Sequence, residues 1–149
     1  MVAEIQRQVV AVIPVNPQGE VLLQQRDDRP DLLYPGFWTF FGGAVEAGET
    51  PNEAIHRELV EELGTDLPVI FWMSYVCPAR TVPGEVHTTN SVYFVGLDPA
   101  RVPLQLYEGQ AMAWFMREQA LALELAFMQT PVLARFFAEG VDQVAKAGA

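Results

Sequence analysis

Three glutamates, Glu58, Glu61 and Glu62, stand three and four residues apart within GGAVEAGETPNEAIHRELVEELGT, the stretch from Gly42 to Thr65. On a helix of 3.6 residues per turn this spacing puts the three carboxylates on one face. Like charges so placed oppose helix formation by about 0.2–0.5 kcal/mol per pair. Arg57 is the only lysine or arginine in the stretch, so compensation is thin. A divalent cation would turn the repulsion into coordination, and oxygen-only ligands favour a hard ion, Mg²⁺ first and Mn²⁺ second. Taken without its flanks, the helix is explained equally well as a solvated acidic face.

Local signals fix where that helix lies. Thr50 is suited to the N-cap, Pro51 to the first helical position, and Glu53 completes a capping box. Gly64 is a natural stop after Leu63. The helix is therefore predicted over Pro51 to Leu63, with Ile55, Leu59 and Leu63 as its core-facing stripe. Gly42 and Gly43 read as a loop that feeds it. Their lack of a Cβ would let the backbone approach a metal or phosphate.

The flanking elements alternate. Gln8 to Val15 reads as a strand buried on both faces, Asn16 to Gly19 as a turn, Glu20 to Arg26 as a second strand, and Phe37 to Phe40 as a short third. Beyond the helix, strands are expected over Val69 to Val76, Thr88 to Leu97 and Ala111 to Met116, with Cys77 to Glu85 as an intervening loop. Arg117 to Leu125 looks helical. A last helix should begin at Thr130-Pro131 and end near Gly140, leaving Val141 to Ala149 as a frayed end. Interleaved strands and helices give an α/β class, a mixed sheet between helical layers, in one domain over 1–149.

The spacing Gly43, Glu49, Arg57-Glu58-Leu59, Glu61-Glu62, Gly64 resembles the Nudix box, the signature of the Nudix hydrolases. It departs from the family only at its last position, where Thr65 replaces an aliphatic residue. The preceding LLQQR strand, the tryptophan-containing strand and the paired glycines also resemble the family, although Phe41 stands where many members have proline. The resemblance implies the Nudix fold, an α/β/α sandwich, and cleavage of a diphosphate bond in a nucleoside diphosphate linked to another group. It further implies Glu58 and Glu62 as the principal metal ligands, Glu61 as a third ligand or a base, and a backbone carbonyl at or near Gly42 as a further ligand. Glu49 and Arg57 would hold the loop against the helix and orient its carboxylates.

Other residues carry weaker signals. Glu108, in Glu108-Gly109-Gln110, is a candidate general base or a further ligand, with a plain loop acid as the alternative. Arg26 ends a strand and could hold a substrate phosphate or stand as a surface cation. Arg80, Glu85 and His87 could border the pocket. Gln129 resembles an amide that reads the nucleobase in some members. The three tryptophans, Trp38, Trp72 and Trp114, belong by their chemistry to the core. His56 points away from the carboxylates.

A formal net charge of −10 gives the chain no general attraction for DNA, RNA or anionic lipid. A phosphate-bearing substrate would be repelled too, which is a second reason to expect metal ions and a few placed cations. Cys77 is the only cysteine, in keeping with a reducing cytoplasm. No run reaches the length of a membrane span, and the N-terminal segment reads as a strand rather than a leader. The apolar composition is compatible with a homodimer, though no pattern marks its surface.

The box sets the reaction and not the leaving group. The EGQ triplet, the chain length and Gln129 favour a nucleoside triphosphate, cleaved to the monophosphate and pyrophosphate. ADP-ribose or a nucleotide sugar is the alternative, weakened by Arg80 standing where ADP-ribose-cleaving members carry proline. A nucleotide-binding module without turnover is the third reading.

Overall fold

A computed structural model describes residues 5–80 and 85–149. The sheet is built around β1 (Ile5–Val15), whose apolar run pairs in parallel along its whole length with β6 (Glu85–Gly96). β6 in turn pairs antiparallel with β5 (Ile70–Arg80), the strand at that edge. The other edge of β1 is shared. Val9 to Val12 pair with β4 (Phe41–Ala44), and Val15 pairs with Val21 at the start of β2 (Val21–Gln25). β2 then leaves β1 and carries β3 (Trp38–Thr39) and β7 (Ala111–Phe115). The sheet thus forks beside the middle of β1.

Alternate residues of the strands face opposite helical layers. On one side Val10, Val12, Leu22 and Phe41 pack against Ala54, Ile55, Leu59 and Leu63 of α1 (Pro51–Leu63). On the other, Ala11, Ile13, Val15, Leu23 and Phe40 pack against Val132, Leu133, Phe136 and Phe137 of α3 (Gln129–Ala138), beside the short α2 (Arg117–Leu121). Each fully buried aliphatic or aromatic side chain contributes about 1.5–3 kcal/mol, so both layers hold the sheet firmly. The α/β class with a mixed sheet between helices is the architecture observed.

Several boundaries differ from expectation, and each difference has a long-range cause. Gly42 and Gly43 lie in strand β4 rather than a loop, because Gly42 is opposite Ala11 and Gly43 opposite Val10. β5 and β6 extend each other by mutual pairing as far as Arg80 opposite Glu85, shortening the expected loop; the remainder of it, 81–84, lies outside the described residues. α2 stops at Leu121, and the chain that follows pairs with β3 through Trp38 N–H to the Glu124 carbonyl and Ala126 N–H to the Trp38 carbonyl. α3 starts at Gln129, preceded by Met128 in the left-handed region, so Thr130 is inside the helix and not its cap. The expected frayed end is helix α4 (Val141–Ala147). Its Val141 and Ala145 are buried, and Gly96 makes room for it: a Cβ there would lie 2.2 Å from the Ala145 carbonyl oxygen. Among the described residues no helix is long and apolar enough to cross a membrane.

Candidate active site

α1 begins and ends as its sequence dictates. Thr50 accepts from the Glu53 amide, Glu53 accepts from the Thr50 amide, and Gly64 closes the helix in the left-handed conformation. The caps fix its ends, and the Ile55, Leu59 and Leu63 stripe packed on the sheet fixes its rotation and so the direction of each acid. Glu58 and Glu62 turn inward, with 8% and 1% of their surfaces exposed, while Glu61 keeps 48% of its side chain open. Glu62 accepts from the Gly42 amide at 3.2 Å and from Gln24 Nε2 at 3.2 Å.

Arg57 organises the entrance. Its Nε and Nη2 form a two-pronged bond to Glu49, at 2.7 and 2.8 Å. The same guanidinium donates to the Ala44 carbonyl, to Glu58 and to Glu61. Glu49 receives, besides Arg57, the Glu46 amide. The segment between β4 and α1 is thereby pinned to the helix. The Arg57 hydrogen bonds hold the Glu49 carboxyl down at about 2, and Glu49 holds the guanidinium above its ordinary value.

The two glycines serve two different close approaches. At Gly42, with φ +146°, a Cβ would fall 1.9 Å from the Val10 carbonyl oxygen. At Gly43 it would fall 2.4 Å from Glu58 Oε1. Gly42 therefore lets β4 join β1, and Gly43 lets a carboxylate lie against the strand.

Negative charge is concentrated here, with Arg57 as the cation paired to it. Burial first, then the neighbouring Glu58 and Glu108 charges, push Glu62 up to about 9, and burial also raises Glu58. The neutral form of Glu62 is thereby favoured. Glu108 is exposed, and its charge bears on Glu62 because the chain around it is tied down. The Tyr107 amide donates to the Glu62 carbonyl, the Gln110 amide to the Gln25 carbonyl, and Gln110 Nε2 to the Arg26 carbonyl. Gly109 permits this: at φ +80° it lies so close that a Cβ would meet the Gln25 oxygen at 2.7 Å.

Beside the acids, at the fork of the sheet, lies a cavity of about 260 Å³. Its wall includes Arg26, Gln24, Gly42, Gly43, Asn90 and Gln129. The acids themselves do not line it; Gln24 and the glycines stand between. Arg26 donates from Nε to the Leu33 carbonyl and lies over the Phe127 ring, 5.1 Å from its centroid. Burial lowers its pKa, as expected of a cation partly withdrawn from water. Gln129 Oε1 accepts from Thr39 Oγ1 and the Phe40 amide, both at 3.0 Å. His87 is half-buried on β6, and His56 pairs with Asp66 away from the acids. The side chains of Arg80 and Glu85 lie outside the described residues. Trp38 and Trp72 pack against one core and Trp114 against the other.

Sequence reading did not single out Gln24, Thr39, Asn90 or Phe127 for this site. The available signal was polarity out of place: Gln24 interrupts an apolar strand, and Asn90 sits inside the long run of β6. Spacing could not show that two distant strands meet at the fork.

A Nudix domain model matches residues 5–136. The chain belongs to the Nudix family. It is 37% identical over 135 residues to the CTP pyrophosphohydrolase of Escherichia coli K12, covering 88% of this chain and 91% of that protein. It is 32% identical over 128 residues to the nucleoside triphosphatase NudI of Enterobacter sp. strain 638, covering 80% and 89%. The solution structure of the E. coli ORF135 protein superposes with a TM-score of 0.68 at 32% identity, covering 91% of each chain. The chain is a Nudix hydrolase acting on phosphoanhydride bonds.

Nudix hydrolases generally work with a divalent metal such as Mg²⁺. Among the described residues, no three of the His, Cys, Asp and Glu side chains are gathered closely enough to hold one unaided. Glu61 is half-exposed and bonded to Arg57, while Glu58 and Glu62 are both buried. The donor set nevertheless fits a hard cation: two buried carboxylates, oxygen donors only, pressed against a glycine strand. A cation there would offset the negative charge that burial disfavours.

Proposed function

We propose that this Nudix hydrolase cleaves a (deoxy)nucleoside triphosphate to the monophosphate and pyrophosphate, with Mg²⁺ as its cofactor and Mn²⁺ as a substitute. The observation that carries this reading is the buried Glu58–Glu62 pair, held against Gly43 and Gln24, which themselves line a cavity of about 260 Å³. Two similar proteins are named for nucleoside triphosphate substrates, one of them CTP.

The residues divide the work by position. Glu58, Glu62 and Glu61, with a backbone oxygen at or near Gly42, would hold the cation, which supplies charge neutralisation on the diphosphate and a more acidic water. Arg57 and Glu49 keep the carboxylates aimed. Water attacks phosphorus in line, the bridging P–O bond breaks, and pyrophosphate departs with the electron pair. The proton of the attacking water passes to a carboxylate, and Glu108 or Glu61 is that acceptor. Arg26, in the wall of the cavity, would offer its guanidinium to a phosphate, and Gln129 walls the space that would take the nucleoside. The partner is therefore a small nucleotide, with no nucleic-acid polymer and no membrane surface required.

The test is a side-by-side substrate panel of nucleoside triphosphates, nucleotide sugars, ADP-ribose and dinucleoside polyphosphates with Mg²⁺. Pyrophosphate release from a triphosphate at the highest kcat/KM is the expected result. Higher kcat/KM on ADP-ribose would overturn the substrate, and binding without turnover on any of them would overturn the reaction.

A further inference from the structure

Asn90 is a polar residue in the middle of the sheet. It lies on β6 between Val9 of β1 and Tyr75 of β5, on the strand face that buries Val92 and Phe94, and only 4% of it is exposed. An amide in such a place is costly unless its polar atoms are used. Half of it is used: Nδ2 donates to the Thr88 carbonyl at 3.0 Å. A backbone carbonyl can only accept, so this bond sets the orientation of the amide. Nitrogen faces Thr88 and Oδ1 faces the other way. Among the described residues nothing donates to Oδ1, and Asn90 lines the cavity at the fork.

Two other amides share that wall, and both are committed. Gln24 Nε2 donates to Glu62 and to the Phe40 carbonyl, with its Oε1 turned to Gly109. The Phe40 N–H can only donate, so Gln129 Oε1 is fixed against it and against Thr39. Tyr75 donates its hydroxyl to the Phe127 carbonyl. Asn90 is thus a wall amide whose acceptor is oriented and, among the described residues, unspent, while the Gln24 acceptor packs against Gly109. At about 260 Å³ the cavity is smaller than the roughly 300–1,000 Å³ that takes a whole drug-sized ligand. That is room for a base rather than for a whole nucleotide, with Arg26 in the same wall. The Phe127 ring supplies an aromatic wall.

We infer that Asn90 is the residue that discriminates among nucleobases, its Oδ1 accepting from an N–H on the edge of a base seated in the cavity. An amide oxygen is a good acceptor for the N–H groups that distinguish one base edge from another. The inference deepens the proposed nucleotide reading and rests on it. It moves base recognition from Gln129, the amide that the sequence pointed to, onto a strand residue.

Two measurements test it separately from turnover. In the first, the metal-free protein labelled with ¹⁵N is titrated with cytidine, uridine, adenosine and guanosine, which carry no phosphate. The Asn90 side-chain amide resonance should shift, and by different amounts for different nucleosides. A resonance unmoved by all four overturns the inference, whatever the enzyme hydrolyses. In the second, Asn90→Leu, which keeps the approximate shape, and Asn90→Ser are assayed on the four nucleoside triphosphates with Mg²⁺. The ratio of kcat/KM between the best and worst base should narrow roughly tenfold, through KM, with kcat on the best substrate changed less than about threefold. An unchanged ratio in a variant of normal melting temperature would make Asn90 a water-satisfied structural amide. Absence of turnover on every triphosphate in the parent protein counts against the reaction and leaves the nucleoside titration to decide the role of Asn90.

Discussion

Glu62 holds a proton in the folded, metal-free protein that it would release in water. Its pKa of about 9 lies far above the unfolded value of about 4.5, through burial and the adjoining acids. The sign of the consequence is fixed by linkage: the unfolded chain gives up this proton first, so stability present below about 4.5 is lost as pH rises through about 9. With chelator present, the urea midpoint should fall between pH 6 and pH 9, and Glu62→Gln should flatten that fall. A midpoint equally steep in Glu62→Gln would place the titrating charge elsewhere. In catalysis the same acids act in the opposite sense, as anions. Glu61→Gln and Glu62→Gln should each lower kcat by about a hundredfold or more with near-normal circular dichroism, and near-normal rates in both would remove the metal site. Glu108→Gln should cost about a hundredfold if Glu108 takes the proton from water. A loss below about threefold would hand that role to Glu61.

At the scale of the element, neighbouring glycines should fail in different ways. Gly42→Ala forces a Cβ into the Val10 backbone, which cannot step aside without unpairing β4 from β1. It should destabilise the protein by at least about 2 kcal/mol, read from chemical denaturation. Gly43→Ala meets the far end of the Glu58 side chain, which can swing away. Its melting temperature should stay close to normal while kcat drops more than tenfold; a large stability loss with normal kcat would show that Glu58 is not working against the strand. α1 was legible to the residue, from Pro51 to Leu63, because caps and carboxylate spacing are local signals. β4 was not. Two glycines read alone suggest a bend, and only the register with Val10 and Ala11, some thirty residues earlier, makes them a strand. The start of α3 misled for a related reason: Thr130-Pro131 imitates a cap, but the turn at Phe127 and Met128, both at positive φ, begins the helix earlier.

For the whole molecule, the class and the layering could be read from alternating apolar runs, and the box pointed to the acids that cluster around α1. The cavity could not be read. Its wall gathers residues from β1, β2, β4, β6 and the start of α3, and no spacing rule connects them. Nor could α4, whose short apolar face is unremarkable until Gly96 is seen to make room for it. Ending the chain at Gly140 should uncover the β6 surface and lower the melting temperature by roughly 5–10 °C, given about 2–4 °C per kcal/mol at this size. A loss under about 2 °C would mean that α4 packs too loosely to matter. The link from Tyr107 to Gln110 is of wider reach. One end hangs from the last turn of α1 and the other from the tip of β2, so Glu108 and Glu62 ride on a single tether. Loosening either anchorage should release both acids at once, and warming should quicken hydrogen exchange at the Tyr107 amide in the same temperature interval in which hydrolysis falls away.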